Sequence, residues 1–97
     1  MPTLLTGPDF DAAVAGLDGW TGDPTGLRRT AELADFPTAI SVVDSVAAVA
    51  EAMDHHPDID IRWRTLTFAC ATHSEGGVTE LDVVLANRIN EIIAAAA

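Results

Sequence analysis

Lysine is absent from this chain. All five basic residues are Arg, against fifteen Asp and Glu, and the formal charge is -10. Neither a Schiff-base lysine nor a phosphate-loop lysine can therefore operate here. Five Arg under that charge supply too few cations to neutralise a phosphate backbone, so nucleic acid is not an expected partner. An anionic membrane surface is disfavoured for the same reason. Cysteine is nearly absent too: Cys70 alone cannot close an internal disulfide, and no C-x-x-C pair occurs. No run approaches the roughly 18 apolar residues that span a bilayer. The Met1 segment has no basic n-region ahead of a long apolar stretch, so no secretory leader is expected. A soluble protein in a reducing, cytoplasmic setting is the expectation.

What is present has a globular composition, with 48% hydrophobic and 21% charged residues in 97. The length predicts one domain over 1–97, with one modest core between two layers. Thr6, Pro8 and Asp9 read as the start of a helix. Phe10, Val14 and Leu17 recur on its face, and Gly19 is placed to close it. A Gly- and Pro-containing turn over 20–26 and the alternation of Leu27, Arg29, Ala31 and Leu33 predict a hairpin, with Trp20 near its start. Asp35 and Pro37 open a second helix whose expected stripe is Ile40, Val43, Val46/Ala47, Ala50 and Met53, ended by Pro57.

Ile61 to His73 contains no Gly or Pro and reads as one long strand. On it Leu66, Phe68 and Cys70 face the core, while Trp63 and Thr67 face outward. Ser74 to Gly77 is a turn. Thr79 to Asp82 resembles a capping box, with Asp in the Glu position. Leu81, Leu85, Ile89 and Ile92 then form a helical stripe. Helix, hairpin, helix, strand and helix in that order predict an α+β fold, helices on one face of a small antiparallel sheet.

The placement of His55, His56 and His73 is the main functional signal. The first two close a helix and the third closes a strand, and such ends can meet at the rim of a two-layer fold. Glu51 stands four residues before His55, a neighbouring position on a helix, and Asp54 lies beside the pair. A carboxylate and a helix C-terminus favour imidazolium, which suits acid–base work. A histidine at a helix C-terminus is also an ordinary cap. Metal ligation by three His is hindered, because adjacent helical residues point about 100° apart, and no H-E-x-x-H spacing occurs; no metal is expected. Ser41, Ser45 and Ser74 lack a nucleophile-elbow context. Cys70 reads as a small buried hydrophobe, and Gly76-Gly77 is too brief to cradle a phosphate.

Glu51-x-x-x-His55-His56-Pro57, five residues to Trp63, nine to His73 and eight to Asp82 resemble the signature of the pterin-4a-carbinolamine dehydratase family. Gly19-Trp20, Leu27-Arg28-Arg29, Asp35-Phe36, Thr72-His73 and Gly76-Gly77-Val78-Thr79 extend the likeness over nearly the whole chain. The resemblance implies a four-stranded antiparallel sheet with three helices on one face. It implies homodimers or homotetramers with sheets joined across subunits. The implied activity is dehydration of a 4a-hydroxytetrahydropterin to quinonoid dihydropterin, with no metal or organic cofactor.

On that resemblance His55 and His73 are assigned to proton transfer and His56 mainly to holding the pterin, the last two roles being exchangeable. Glu51 and Asp54 would orient or charge the imidazoles, or pair with the aminopyrimidine edge. Trp20 and Trp63 are candidates for a flat wall against the ring, or else for core or interface packing. Pro57, Thr79 and Asp82 are expected to be structural. Ala31 stands where the family often has an aromatic. Ala69 and Ala71 replace more polar residues, which suggests an oligomer interface. Two other functions compete: a non-catalytic dimerisation or assembly module that binds another protein, as a second role known in the family, and pterin binding without dehydration.

Overall fold

The structure, a computed structural model, describes residues 2–97; Met1, the first residue of the expected domain, lies outside the described residues. Helix α1 covers Gly7–Ala15, with Thr6 extended at its N-cap and Pro8 in its first turn. It stops short of the expected closure at Gly19. Gly19 instead takes a left-handed φ of +83° beyond the helix, in the turn that leads from Leu17 into Trp20. Strands β1 (Thr21–Asp23) and β2 (Gly26–Glu32) form the expected hairpin, and helix α2 covers Phe36–Met53. Asp35 caps α2 by accepting from Thr38 N–H at 2.8 Å.

The segment from Ile61 to His73 is not one strand. It splits between β3 (Asp58–Arg62) and β4 (Thr65–Cys70), a hairpin whose two-residue turn is Trp63–Arg64. Trp63 sits at φ +52°, where Gly, Asn or Asp would have advertised a turn. Tertiary contacts hold it there. Arg64 O accepts from Leu33 N–H (2.8 Å), the Arg64 guanidinium donates to Leu33 O (3.1 Å), and it pairs with Glu32 at 3.0 Å. His73 opens a short 3-10 turn, His73–Glu75, and α3 follows over Glu80–Ala96.

All pairings in the sheet are antiparallel, in the order β1-β2-β4-β3. Opposed residues share a face, so Leu27 with Cys70, Ala31 with Leu66, and Ile59 with Phe68 lie on the inner side. Leu27, Leu66, Phe68 and Cys70 are almost fully buried. Arg28, Thr30, Thr67 and Asp60 lie on the outer side. The inner residues join Phe10 of α1, Val42 and Val46 of α2, and Leu85 and Ile89 of α3 in one cluster. This is the α+β fold expected, four antiparallel strands with three helices.

Helix α2 buries Val46 and Ala50 of the expected stripe but otherwise uses the neighbouring line. Ala39, Val42, Val46 and Ala50 are buried, whereas Ile40, Val43 and Met53 are only partly covered and Ala47 is exposed. Small residues on that line let the helix lie close to its neighbours, a choice that hydropathy alone does not encode. By length and composition α2 is also apolar enough to cross a bilayer, contrary to expectation. Ala39, Val42 and Val46 of its buried line are nonetheless part of the core cluster.

Candidate active site

Helix α2 ends before Pro57, and that ending sets up the site. Asp54 takes a left-handed conformation, φ +51°, with its N–H bonded to Ala50 and Glu51 carbonyls. His55 N–H returns to Ala50 O at 3.1 Å. This is a Schellman ending, built here on Asp instead of Gly. It rotates the chain so that His55 turns inward and His56 outward. The spacing argument that paired Glu51 with His55 therefore fails, because residues 54 and 55 are no longer helical. Glu51 Oε2 instead meets His56 Nε2 at 3.0 Å, both side chains being largely exposed.

His55 is 10% exposed, and its Nε2 lies 2.6 Å from Oδ1 of Asp82, whose side chain is fully buried. Asp82 occupies the first turn of α3. Its Oδ2 accepts the Thr79 backbone N–H (2.9 Å), which completes the capping box with Thr79, and also the Thr72 hydroxyl (2.8 Å). The hydroxyls of Thr72 and Thr79 are 2.7 Å apart, and both residues are buried. Asp82 was expected only as a cap. One of its oxygens does that work, and the other binds a histidine 27 residues earlier. Nothing in the spacing reveals Thr72; the only signal is its position next to His73.

His73 is exposed and stands directly after buried Thr72. The loop that carries it is pinned. Thr72 N–H donates to Gly77 O at 2.8 Å, and Val78 N–H donates to Pro24 O at 2.9 Å. A Cβ on Gly77 would collide with the Pro24 carbonyl oxygen, so only glycine fits that crossing. One buried carboxylate thus ties the tip of α2 to the segment leading into His73.

A cleft of about 420 Å³ opens at one end of the sheet, lined by Thr21, Asp23, Arg28, Asp58, Ala69 and Ala71 among others; His55, His56 and His73 are not among its lining residues.

The tryptophans part company. Trp20 is 4% exposed, and its indole N–H donates to Asn90 Oδ1 at 2.8 Å. It is a core residue with no face free for a ring, so the ligand-wall expectation is corrected in favour of packing. Trp63 is 71% exposed at the β3–β4 turn, with the Arg64 guanidinium 4.8 Å from its ring centre. Cys70 is buried as expected. Burial first, and then the nearby charges of Asp82 and Asp58, push its thiol up to about 12, which leaves no thiolate for nucleophilic work.

The family model for pterin 4 alpha carbinolamine dehydratase matches residues 3–92. A relative from Mycobacterium avium, named as a candidate pterin-4-alpha-carbinolamine dehydratase, is 52% identical over 90 residues, covering 93% of this chain and 96% of its own. Another of the same description from Roseiflexus is 45% identical, covering 96% and 100%. Among solved structures, a transcriptional coactivator/pterin dehydratase from Brucella melitensis superposes with a TM-score of 0.90 at 35% identity, over 94% of this chain and 99% of that one. A pterin dehydratase-like protein described as a RuBisCO assembly factor shares the fold, with a TM-score of 0.63 at 19% identity. Family model, relatives and superposition agree: the chain belongs to the pterin-4a-carbinolamine dehydratase family, a family of hydro-lyases.

Proposed function

We propose that this protein removes water from a 4a-hydroxytetrahydropterin by histidine acid–base catalysis and so serves pterin recycling. The C4a–O bond breaks as the leaving hydroxyl takes a proton and departs as water. The N5–H bond gives up its proton, and its electron pair forms the C4a=N5 bond of the quinonoid dihydropterin. The two proton transfers need an acid and a base near neutral pH, and imidazoles supply both. His55 and His73 are the proposed proton-transfer pair. His56, with Glu51 against its ring, holds the pterin, and His56 and His73 are the two whose roles can be exchanged. Asp54, exposed at the same helix end, is proposed for the donor-rich aminopyrimidine edge.

The observation that carries the reading is the single buried carboxylate of Asp82, which bonds His55 and Thr72, the residue before His73. Stopped-flow absorbance with a chemically generated carbinolamine is the test. Protein that leaves the dehydration rate unchanged at several pH values overturns the proposal.

The proposed assembly is a homodimer or homotetramer. Strands β1 and β3 each leave one edge of the sheet unpaired, and pairing across subunits would cover such an edge. Sedimentation equilibrium tests this, and a monomer at micromolar concentration overturns it.

A further inference from the structure

We infer that Asp82, oriented by Thr72 and Thr79, is a positioning residue that fixes the tautomer of His55, so that Nδ1 is the ring atom that exchanges a proton with substrate. The inference rests on the reading of His55 as an acid–base residue.

The argument is a count of hydrogens. Thr79 Oγ1 accepts the Leu81 N–H at 3.2 Å. Thr72 and Thr79 each own one hydroxyl hydrogen, and two contacts must be served: hydroxyl to hydroxyl at 2.7 Å, and Thr72 to Asp82 Oδ2 at 2.8 Å. A carboxylate offers lone pairs only. Thr72 therefore donates to Asp82, and Thr79 donates to Thr72. The Thr79 backbone N–H, at 2.9 Å, also donates to Oδ2. Every hydrogen in this network runs toward the carboxylate.

Oδ1 of Asp82 then faces His55 Nε2 at 2.6 Å with lone pairs alone. Nε2 must carry the hydrogen. In the neutral ring Nδ1 is left with its lone pair free, as a base; in the charged ring Nδ1–H is the acid. Asp82 is fully buried, so water does not reach it to offer an alternative arrangement, and a buried polar network that is fully satisfied has one low-energy pattern. Thr72 also begins the turn that carries His73. The same residue therefore holds the carboxylate that faces one histidine and begins the turn that carries the other.

The experiment is heteronuclear NMR of the imidazole nitrogens in the ¹⁵N-labelled full chain, combined with steady-state dehydration kinetics. The wild-type protein is expected to show a pyrrole-like Nε2 and a pyridine-like Nδ1 for neutral His55. Asp82→Asn keeps an oxygen for Thr72 and Thr79 but turns an amide N–H toward the ring. The tautomer should invert, and kcat should fall by about 10²-fold or more. Thr72→Val leaves Oδ1 an acceptor, so the Nε2–H tautomer should persist, while the loosened carboxylate should lower kcat by about tenfold with KM within about twofold. Thr72→Ser should restore kcat.

A wild-type ring protonated at Nδ1 overturns the inference, and this spectrum needs no variant to fold. So does a wild-type ring signature retained in Asp82→Asn. Inactive wild-type protein with the Nε2–H ring would sink the dehydratase reading and leave the tautomer standing. Active protein with the Nδ1–H ring would do the reverse.

Discussion

Two histidine–carboxylate pairs flank the end of α2, and they are built from adjacent histidines. His55–Asp82 is buried, at 10% and 0% exposure; His56–Glu51 is open to solvent, at 56% and 81%. The second pair is local, Glu51 lying in the last turn of α2 and His56 three residues beyond its end. Solvent screening and side-chain entropy leave such a pair worth about 0–1 kcal/mol. The first joins residues 55 and 82 across the fold. Its partner also caps α3 and holds Thr72, so removing it breaks three things together. The contrast teaches that the sequence motif mixes two kinds of residue: those that hold the site's shape and those free to meet a ligand.

The largest expected effect is on the buried side. Asp82→Ala removes the ring's partner, the cap of α3 and the Thr72 contact, and should cost about 3–5 kcal/mol. For a domain of this size the thermal midpoint should fall by roughly 12 °C or more. Calorimetry showing a drop of only a degree or two would break the comparison. His55→Ala is expected next. It leaves Asp82 with two of its donors, costs about 1–3 kcal/mol, and lowers the dehydration rate by about 10²-fold or more.

His73→Ala sharpens the comparison by separating rate from stability. Its exposed ring predicts a rate loss of about 10²-fold or more with a stability change within about 0.5 kcal/mol. Full activity in both histidine variants would show the roles to be wrongly assigned. Glu51→Gln should shift the urea midpoint by an amount equivalent to less than about 0.5 kcal/mol. A loss as large as that of the Asp82 variant would erase the distinction between the pairs.

The smallest effect lies at the other end of α2. The Thr38 hydrogen bonds, to hydroxyl and backbone, hold the Asp35 carboxyl below its ordinary value of 3.8. A folded value below the unfolded one means its contribution is present above that ordinary value and is lost as pH falls through the folded one. The gap in urea midpoint between wild type and Asp35→Asn should therefore narrow as pH drops from about 5 to about 3. A gap that stays constant would show the cap to be idle.

Much of the site was legible because its residue types are rare here and their spacing is fixed. The three histidines and the Thr79–Asp82 box could be located on element ends without coordinates. The partnerships could not. Periodicity assumed α2 to run on to Pro57, and so gave Glu51 to His55; one left-handed Asp exchanged the two histidines' neighbours. The β3–β4 turn was hidden because its left-handed residue is Trp63, and Arg64 anchors it through Leu33 and Glu32 in another element. The α2 stripe was right at Val46 and Ala50 but misplaced nearer the start of the helix, where Ala39 and Val42 are buried in place of Ile40 and Val43.

The sequence by itself determined the composition class, the order of helices and strands apart from one hairpin, the N-caps of α2 and α3, and the family. These follow from nearest-neighbour chemistry, in which capping hydroxyls, apolar alternation and glycine turns act within a few residues of chain. Only the tertiary structure decided that Asp82 serves His55, that Thr72 stands behind both, that Trp20 is core and Trp63 is surface, and which face of α2 is inside. Those choices depend on groups far apart in the chain competing for the same buried space and the same lone pairs, a competition that no local pattern records.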